Sequence, residues 1–124
     1  MWENKSFVFF REMDGRDPGL GPPGAQKVAL TPSHSLAIDR SLWMFGTPVW
    51  LDTQAPRGES GTLTPFRSLL VAQDTGTAIK GYARGDVFWG AGEEAALTAG
   101  QMKSPGLMIV LLPKALAKRL LQQQ

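Results

Sequence analysis

The apolar residues of this chain occur in short runs that glycine, proline and other turn residues separate. Runs suited to β-strands lie at residues 28–30, 36–38, 49–51, 69–72 and 87–89. A bulky apolar run at 7–10 also suits a strand, and the Gly- and Pro-rich stretch 14–24 is typical of a loop. Many short strands with turn residues between them predict a mainly β domain, in the form of a small β-barrel.

Two short helices are predicted in the last third of the chain. The first begins at Glu93, with two acids in its first turn that complement the helix dipole, and ends at Gly100 or Pro105. The apolar run 107–112 predicts a buried strand between the helices. Pro113 suits the first position of the second helix, whose apolar stripe comprises Ala115, Leu116, Leu120 and Leu121.

Length and composition limit the function classes. The chain has 124 residues, 43% of them hydrophobic and 19% charged, which predicts one globular domain. Thirteen basic against 11 acidic side chains leave a net charge of +2, so nucleic acid is not an expected partner. The absence of cysteine excludes disulfides, thiolate nucleophiles and Cys-ligated zinc. We find neither the pattern of a signal peptide nor an apolar run near the roughly 20 residues that span a bilayer.

Three aspartates stand at the ends of β-like runs, each close to glycine or another turn residue. Asp39 follows the run 36–38, Asp74 precedes Thr75 and Gly76, and Asp86 lies between Gly85 and the run 87–89. A carboxylate at the end of a strand is held rigidly, as a binding or catalytic site requires. Aspartate beside glycine also caps turns by accepting backbone hydrogen bonds. The spacing leaves both interpretations open.

Other chemistries find little support in the sequence. His34 is the only histidine and no Gly-x-Ser-x-Gly motif is present, which disfavours a Ser-His-Asp triad. One histidine without cysteine cannot make the usual transition-metal sites, although three aspartates suit a hard cation such as calcium. The Gly-rich stretches 21–24 and 76–81 do not match a phosphate-binding loop.

Four aromatic side chains lie in or beside the same segments: Trp43, Trp50, Phe88 and Trp89. Exposed aromatic faces stack on sugar rings, whereas buried ones form the core of a small barrel. Trp50 and Phe88 are predicted to be core residues. In a regular strand Trp89 points to the opposite face from Phe88, which makes it the better candidate for a groove.

Together these segments resemble the 3D, or three-aspartate, domain at the C-terminal end of the membrane-bound lytic murein transglycosylase A family. The order and spacing of the motifs hold through residues 102–113, and residues 4–11 resemble the segment just upstream. The resemblance therefore covers nearly the whole chain. The stretches that carry it are 30–39, 46–53, 71–81 and 84–90.

The resemblance implies a double-psi β-barrel. Residues 28–124 would form the C-terminal part of the barrel, and residues 1–27 would be a strand and loop from the end of the family's inserted domain. We expect the barrel to be incomplete in this chain, because the family's N-terminal strands and second groove wall have no counterpart here. Unpaired strand edges favour pairing between chains, so self-association is expected.

The resemblance also implies an enzyme, without cofactor or metal, that cleaves the β-1,4 bond between N-acetylmuramic acid and N-acetylglucosamine in peptidoglycan. The family's catalytic aspartate falls on Asp86, with Asp74 and Asp39 as supporting groups. As the single acid and base, Asp86 must hold a proton more tightly than an ordinary carboxyl, through apolar neighbours such as Phe88 or through like charge from Asp74. The implied substrate-binding residues are Thr75, Gly76, Lys80 and Trp89.

By the same resemblance the protein belongs in the periplasm or at the outer membrane, and its partner is the glycan strand of peptidoglycan. Thr77 departs from the family, which usually has a second glycine there, so we expect a different backbone or a narrower groove. A non-catalytic peptidoglycan-binding fragment is the main alternative function. The third hypothesis for the function is a barrel that binds a cation through its three aspartates.

Overall fold

The structure is a computed structural model that describes residues 17 and 19–122. Its centre is a five-stranded sheet with strand order β4-β1-β3-β2-β5, accompanied by two helices. In chain order the elements are β1 (Ser35–Ile38), β2 (Pro48–Arg57), β3 (Thr62–Asp74), β4 (Gly85–Val87), α1 (Glu93–Gln101), β5 (Gly106–Val110) and α2 (Lys114–Leu121).

A long antiparallel hairpin of β2 and β3 organises the sheet. Its register runs from Pro48 opposite Val71 to Arg57 opposite Thr62. The turn between the strands is closed with Gly58 and Gly61, both at positive φ, a conformation that glycine adopts without steric cost. β1 lies parallel to β3 and antiparallel to β4, whereas β5 is antiparallel to β2. The short strands β1 and β4 are thereby held beside one end of the hairpin.

The core lies on one face of the sheet because buried and exposed residues alternate along the strands. It contains Leu36 and Ile38 from β1, and Leu70 from β3, all almost fully buried. Trp89 and Phe66 also belong to the core, with ring centroids 4.8 Å apart. Helix α1 packs against β2. Within the described residues the sheet does not close, and β4 and β5 are its outer strands. The predicted mainly β fold with two short helices is confirmed.

Some predicted elements differ from the observed ones. Residues 28–30 contribute only an isolated bridge, between Pro23 and Ala29. The strand predicted at 107–112 is present as β5 (Gly106–Val110), but the prediction that it is buried is wrong. β5 ends at Val110, and its residues Leu107 and Ile109 are exposed, whereas Met108 and Val110 pack against the core. The predicted strand at 7–10 lies outside the described residues, and the boundary between residues 27 and 28 stays a prediction.

The predicted exposures of two tryptophans are reversed. Trp50 is 38% exposed, whereas Trp89 is 9% exposed and packs in the core. Trp50 lies on the outer face of the sheet, between Leu69 and Ile109 on the neighbouring strands. β4 ends at Val87, so the alternation of a regular strand does not extend to Trp89. None of the described helices has the length and apolar character needed to cross a membrane.

Candidate functional site

The three aspartates lie on or beside three neighbouring strands. β1 runs between β3 and β4, and its residue Ala37 is in register with both Asp74 and Asp86. Adjacent strands are about 4.8 Å apart, which places the backbones of Asp74 and Asp86 roughly 10 Å from each other. Asp39 directly follows β1. The structure therefore brings all three to one region of the sheet.

Asp86 is the most accessible of the three. Its side chain is 51% exposed and forms an ion pair with Arg84. Arg84 Nε donates to Oδ1 at 2.8 Å, and a second guanidinium nitrogen lies 3.4 Å from Oδ2. The hydrogen bond to Asp86, and then its negative charge, raise the pKa of the Arg84 guanidinium. The neighbour found at Asp86 is therefore a cation, where the sequence predicted an apolar or acidic one.

A cavity of about 690 Å³ lies beside β4. Asp86 is the only acid among the described residues that line it, and Arg84 and Lys103 are the cations. The segment between α1 and β5, which includes Lys103, forms part of its wall. Large apolar side chains also line the cavity: Leu51, Val87, Trp89, Met102 and Met108. One accessible carboxylate thus faces a partly apolar cavity large enough for a small ligand.

Asp39 has a different environment, almost fully buried beneath the loops that follow β1 and precede β4. Its Oδ1 accepts bonds from the Ser41 hydroxyl at 2.7 Å and the Ser41 amide at 3.0 Å, and Oδ2 accepts from Gly81 N at 3.0 Å. The Ser41 hydroxyl bond, and then the Gly81 bond, lower the pKa of Asp39 to about 2. Asp39 is therefore a carboxylate that joins two loops, as in the turn-capping interpretation.

Asp74 is the last residue of β3, and hydrogen bonds at this end of the strand hold the segment around residues 25 and 26 in place. Its Oδ1 accepts a hydrogen bond from Ala25 N at 2.9 Å, and Gln26 N donates to Gln73 O at 3.1 Å. This carboxylate is partly buried and does not line the cavity beside Asp86. Asp74 thus orders the segment that crosses the end of the sheet.

Of the four residues with a predicted role in substrate binding, only Trp89 lines the same cavity as Asp86. The Thr75 hydroxyl donates to Ile38 O at 2.8 Å and ties β3 to β1. The Gly76 carbonyl accepts from Ile79 N at 3.1 Å in a turn. Lys80 is exposed, with Nζ 3.7 Å from Asp39 Oδ1. Three of the four therefore shape the loops around the aspartates.

The substitution at Thr77 does not strain the chain. Thr77 is exposed, and neither it nor Gly76 has a positive φ. An L-residue is therefore compatible with the backbone at both positions. Thr77 therefore does not require the different backbone conformation that its sequence difference from the family led us to expect.

Sequence reasoning missed Arg84 and Lys103. Arg84 stands two residues before Asp86, and alternate residues of an extended chain share a face, so the spacing contained the necessary signal. Lys103 is distant from Asp86 in sequence and reaches the cavity only through the packing of α1 and β5. No local sequence pattern indicates that Lys103 lies beside the cavity that Asp86 lines.

Within the described residues the geometry supports neither of the two alternative sites, a cation site or a Ser-His-Asp triad. The described residues contain no group of three or more His, Cys, Asp or Glu side chains placed to hold a metal ion. His34 Nδ1 lies 3.0 Å from Leu69 O and 3.3 Å from Ser68 Oγ. In the part of the chain that the structure describes, no carboxylate hydrogen-bonds to this ring to complete a triad.

Comparisons with known proteins agree on one group. The family model of the 3D domain matches residues 34–112. Membrane-bound lytic murein transglycosylase A of Vibrio cholerae serotype O1 is 35% identical over 108 aligned residues, and the match covers 84% of this chain and 27% of that protein. The structure of the lytic transglycosylase LtgG of Burkholderia pseudomallei superposes with a TM-score of 0.72 at 49% identity, covering 87% of this chain and 30% of LtgG.

E. coli MltA with bound chitohexaose superposes with a TM-score of 0.64 at 34% identity, covering 74% of this chain and 28% of that one. The chain therefore spans between a quarter and a third of the length of these relatives.

Proposed function

The chain belongs to the 3D domain family, and from this premise we propose that it is the catalytic part of a peptidoglycan lytic transglycosylase. The bond cleaved is the β-1,4 linkage between N-acetylmuramic acid and N-acetylglucosamine, and the product carries a 1,6-anhydromuramic end. Homology to lytic transglycosylases supports a role in peptidoglycan degradation.

The observation that carries the proposal is the position of Asp86. It is the one acid among the described residues that line the cavity, and about half of its side chain is accessible. Hydrolysis of a glycosidic bond normally uses two carboxylates on either side of that bond. Because Asp39 is committed to three hydrogen bonds and does not line the cavity, a one-carboxylate reaction fits this site better.

In that reaction Asp86 serves first as acid and then as base. Protonated Asp86 gives its proton to the glycosidic oxygen, which leaves with the electron pair of its bond to C1 of the muramic ring. The resulting Asp86 carboxylate removes the proton from the C6 hydroxyl, and O6 forms a bond to C1. Water is not consumed, and Asp86 ends the cycle protonated.

The other predicted site residues support Asp86 in this proposal. Asp39 orders the loop that carries Lys80 and Gly81, and Asp74 orders the segment at residues 24–26. Trp89 is largely buried but lines the cavity, where it borders the sugar that enters. Thr75, Gly76 and Lys80 shape the adjacent loops that border the glycan.

The proposed partner is the glycan strand of peptidoglycan. The E. coli relative holds chitohexaose, an oligosaccharide, and the Vibrio relative is named as membrane-bound. We place this protein in the periplasm or at the outer membrane, where peptidoglycan is accessible.

Digestion of purified sacculi tests the proposal, with products identified by the mass deficit of one water that marks an anhydro ring. Asp86→Asn removes the acid while keeping the size of the side chain, and we expect a loss of activity of at least about 100-fold. Asp52→Asn is the matched control, because Asp52 is also a partly exposed aspartate paired with an arginine, Arg67, on the outer face of the sheet.

Equal activity of Asp86→Asn and the unchanged chain would refute the role of Asp86. If the unchanged chain binds sacculi without cleaving them, and Asp86→Asn alters only affinity, the chain is the non-catalytic binding module instead.

A further inference from the structure

Lys103 is a cation on the wall of the cavity that Asp86 lines. Arg84 is the other cation there, but its guanidinium lies 2.8 Å from Asp86, whose negative charge offsets it. Lys103 is exposed and forms no ion pair with any acid among the described residues. Since Asp86 is the only described acid in the lining, the cavity carries one positive charge that no described acid offsets.

The segment that carries Lys103 is fixed on both sides. Met102 caps the C-terminal end of α1, and its side chain packs against the core. Beyond Lys103, the carbonyl of Pro105 accepts a 2.7 Å hydrogen bond from the hydroxyl of Thr53, which is buried and lines the same cavity. A Cβ at Gly106 would lie 2.7 Å from the Thr53 Cβ, so the chain passes close to β2 there. The backbone of Lys103 is therefore held at the cavity wall, while its side chain stays accessible.

The proposed substrate has a negative charge that suits this lysine. Its backbone consists of N-acetylated sugars, which are neutral. Muramic acid differs from glucosamine by the lactyl ether on C3, which ends in a carboxyl group. That carboxyl is free where the peptide stem has been removed; elsewhere it is joined to the stem, which carries carboxylates of its own. In the proposed reaction C1 of the muramic ring lies at Asp86, so the substituent on C3 of the same ring enters the same cavity.

We propose that Lys103 is a specificity-determining residue that binds a carboxylate carried by the C3 substituent of the muramic ring. This assignment rests on the proposed function, because it takes the muramic ring to lie at Asp86. The lysine ammonium is a compact charge with three rotatable donors, so it can follow a carboxylate on a flexible substituent. The contact adds to the affinity for muramic acid and not to that for a neutral sugar, so the cavity prefers peptidoglycan to chitin-type oligosaccharides.

Calorimetric binding tests this assignment in the Asp86→Asn chain, from which the proposed acid is absent. The three ligands are hexasaccharides: neutral chitohexaose, a glucosamine–muramic acid strand with free lactyl carboxylates, and the same strand with its peptide stems. We expect Lys103→Gln to lower the affinity for the two carboxylate-bearing strands by about 3- to 5-fold and to leave chitohexaose binding unchanged. Added salt should reduce the preference of the parent chain for the charged strands, because it screens the ion pair.

Two variants control the measurement. Lys103→Arg keeps the positive charge and should retain the preference. Lys118→Gln removes a lysine charge from the exposed helix α2, outside the cavity lining, and should alter none of the affinities. A loss confined to the strand without stems identifies the lactyl carboxylate as the group bound, and a loss confined to the stem-bearing strand identifies a stem carboxylate.

An equal loss for all three ligands would refute the assignment, because Lys103 would then serve the neutral sugar backbone or the fold. Unchanged binding of both carboxylate-bearing strands would refute it as well. Failure of the proposed function is a separate result: if sacculi stay intact while Lys103→Gln loses the preference, the lyase activity fails and the carboxylate site stands. If the parent chain binds none of the three ligands, the carboxylate site is refuted whatever the digestion of sacculi shows.

Discussion

At the residue scale, environment separates aspartates that look alike in sequence. Asp39 directly follows a short strand and Asp86 lies within one, yet Asp39 accepts three bonds inside the protein and Asp86 faces a cavity. A buried carboxylate with several donors is held in its charged form, whereas an accessible one can exchange protons. The structure thus distinguishes a loop-joining aspartate from a candidate acid.

The pKa of Asp39 leads to a prediction about acid stability. Because that pKa falls from an ordinary 3.8 to about 2 on folding, the charged form stabilises the fold fully above pH 3.8. This contribution is lost as the pH falls through about 2. We expect Asp39→Asn to lower the melting temperature at neutral pH, with the difference from the unchanged chain narrowing toward pH 2. Thermal melts between neutral pH and pH 2 measure this difference in melting temperature, with Asp52→Asn, at a partly exposed aspartate, as the control. A difference that stays constant with pH would contradict the prediction.

The sequence could identify the three aspartates and their common region, but not their separate roles. The partners of Asp39 come from Ser41, two residues away, and from Gly81, which is remote in sequence. The reversed exposures of Trp50 and Trp89 have the same origin, because they depend on where β4 ends and on what covers the outer face. Such contacts depend on tertiary packing that local patterns do not encode.

At the element scale, strand lengths were harder to predict than strand positions. The apolar runs 49–51 and 69–72 mark only parts of β2 and β3, which extend over 10 and 13 residues. Polar residues and prolines interrupt the apolar pattern of the hairpin, and Pro56 and Pro65 lie within its strands. Proline usually indicates an edge strand or the end of a strand. In this hairpin the pairing between β2 and β3 outweighs the local effect of the prolines and polar residues.

Two glycine substitutions test how closely the elements pack. A Cβ at Gly85 in β4 would lie 2.9 Å from Leu36 Cδ1, in the core, and nothing lies within 4 Å of one at Gly100 in α1. We expect Gly85→Ala to lower the free energy of unfolding by about 1–3 kcal/mol, since Leu36 must move. Gly100→Ala should raise it by up to about 1 kcal/mol, because alanine favours the helix. Urea denaturation measures the free energy of unfolding of both variants. An unchanged free energy of unfolding in Gly85→Ala would show that β4 can shift to make room for the added methyl group.

At the scale of the whole molecule, the described residues hold part of a barrel. The sheet ends at β4 on one side and β5 on the other, and neither has a second strand partner among the described residues. Motif order predicted the family and its fold. The openness of the sheet depends on how whole strands pack against each other, and this chain covers only between a quarter and a third of the relatives that it matches.

Unpaired edges predict that the isolated chain self-associates by pairing of β5 between copies. Ile109→Lys places a charge on that edge and should weaken association, as lysine does on natural edge strands. Leu69→Lys is the matched control, because Leu69 lies on the inner strand β3 with 45% exposure against 43% for Ile109. Sedimentation over a range of concentrations should show the Ile109→Lys chain shifted toward monomer and the Leu69→Lys chain unchanged. Equal effects would assign association to the apolar outer face instead, since both residues belong to that face and only Ile109 belongs to the edge.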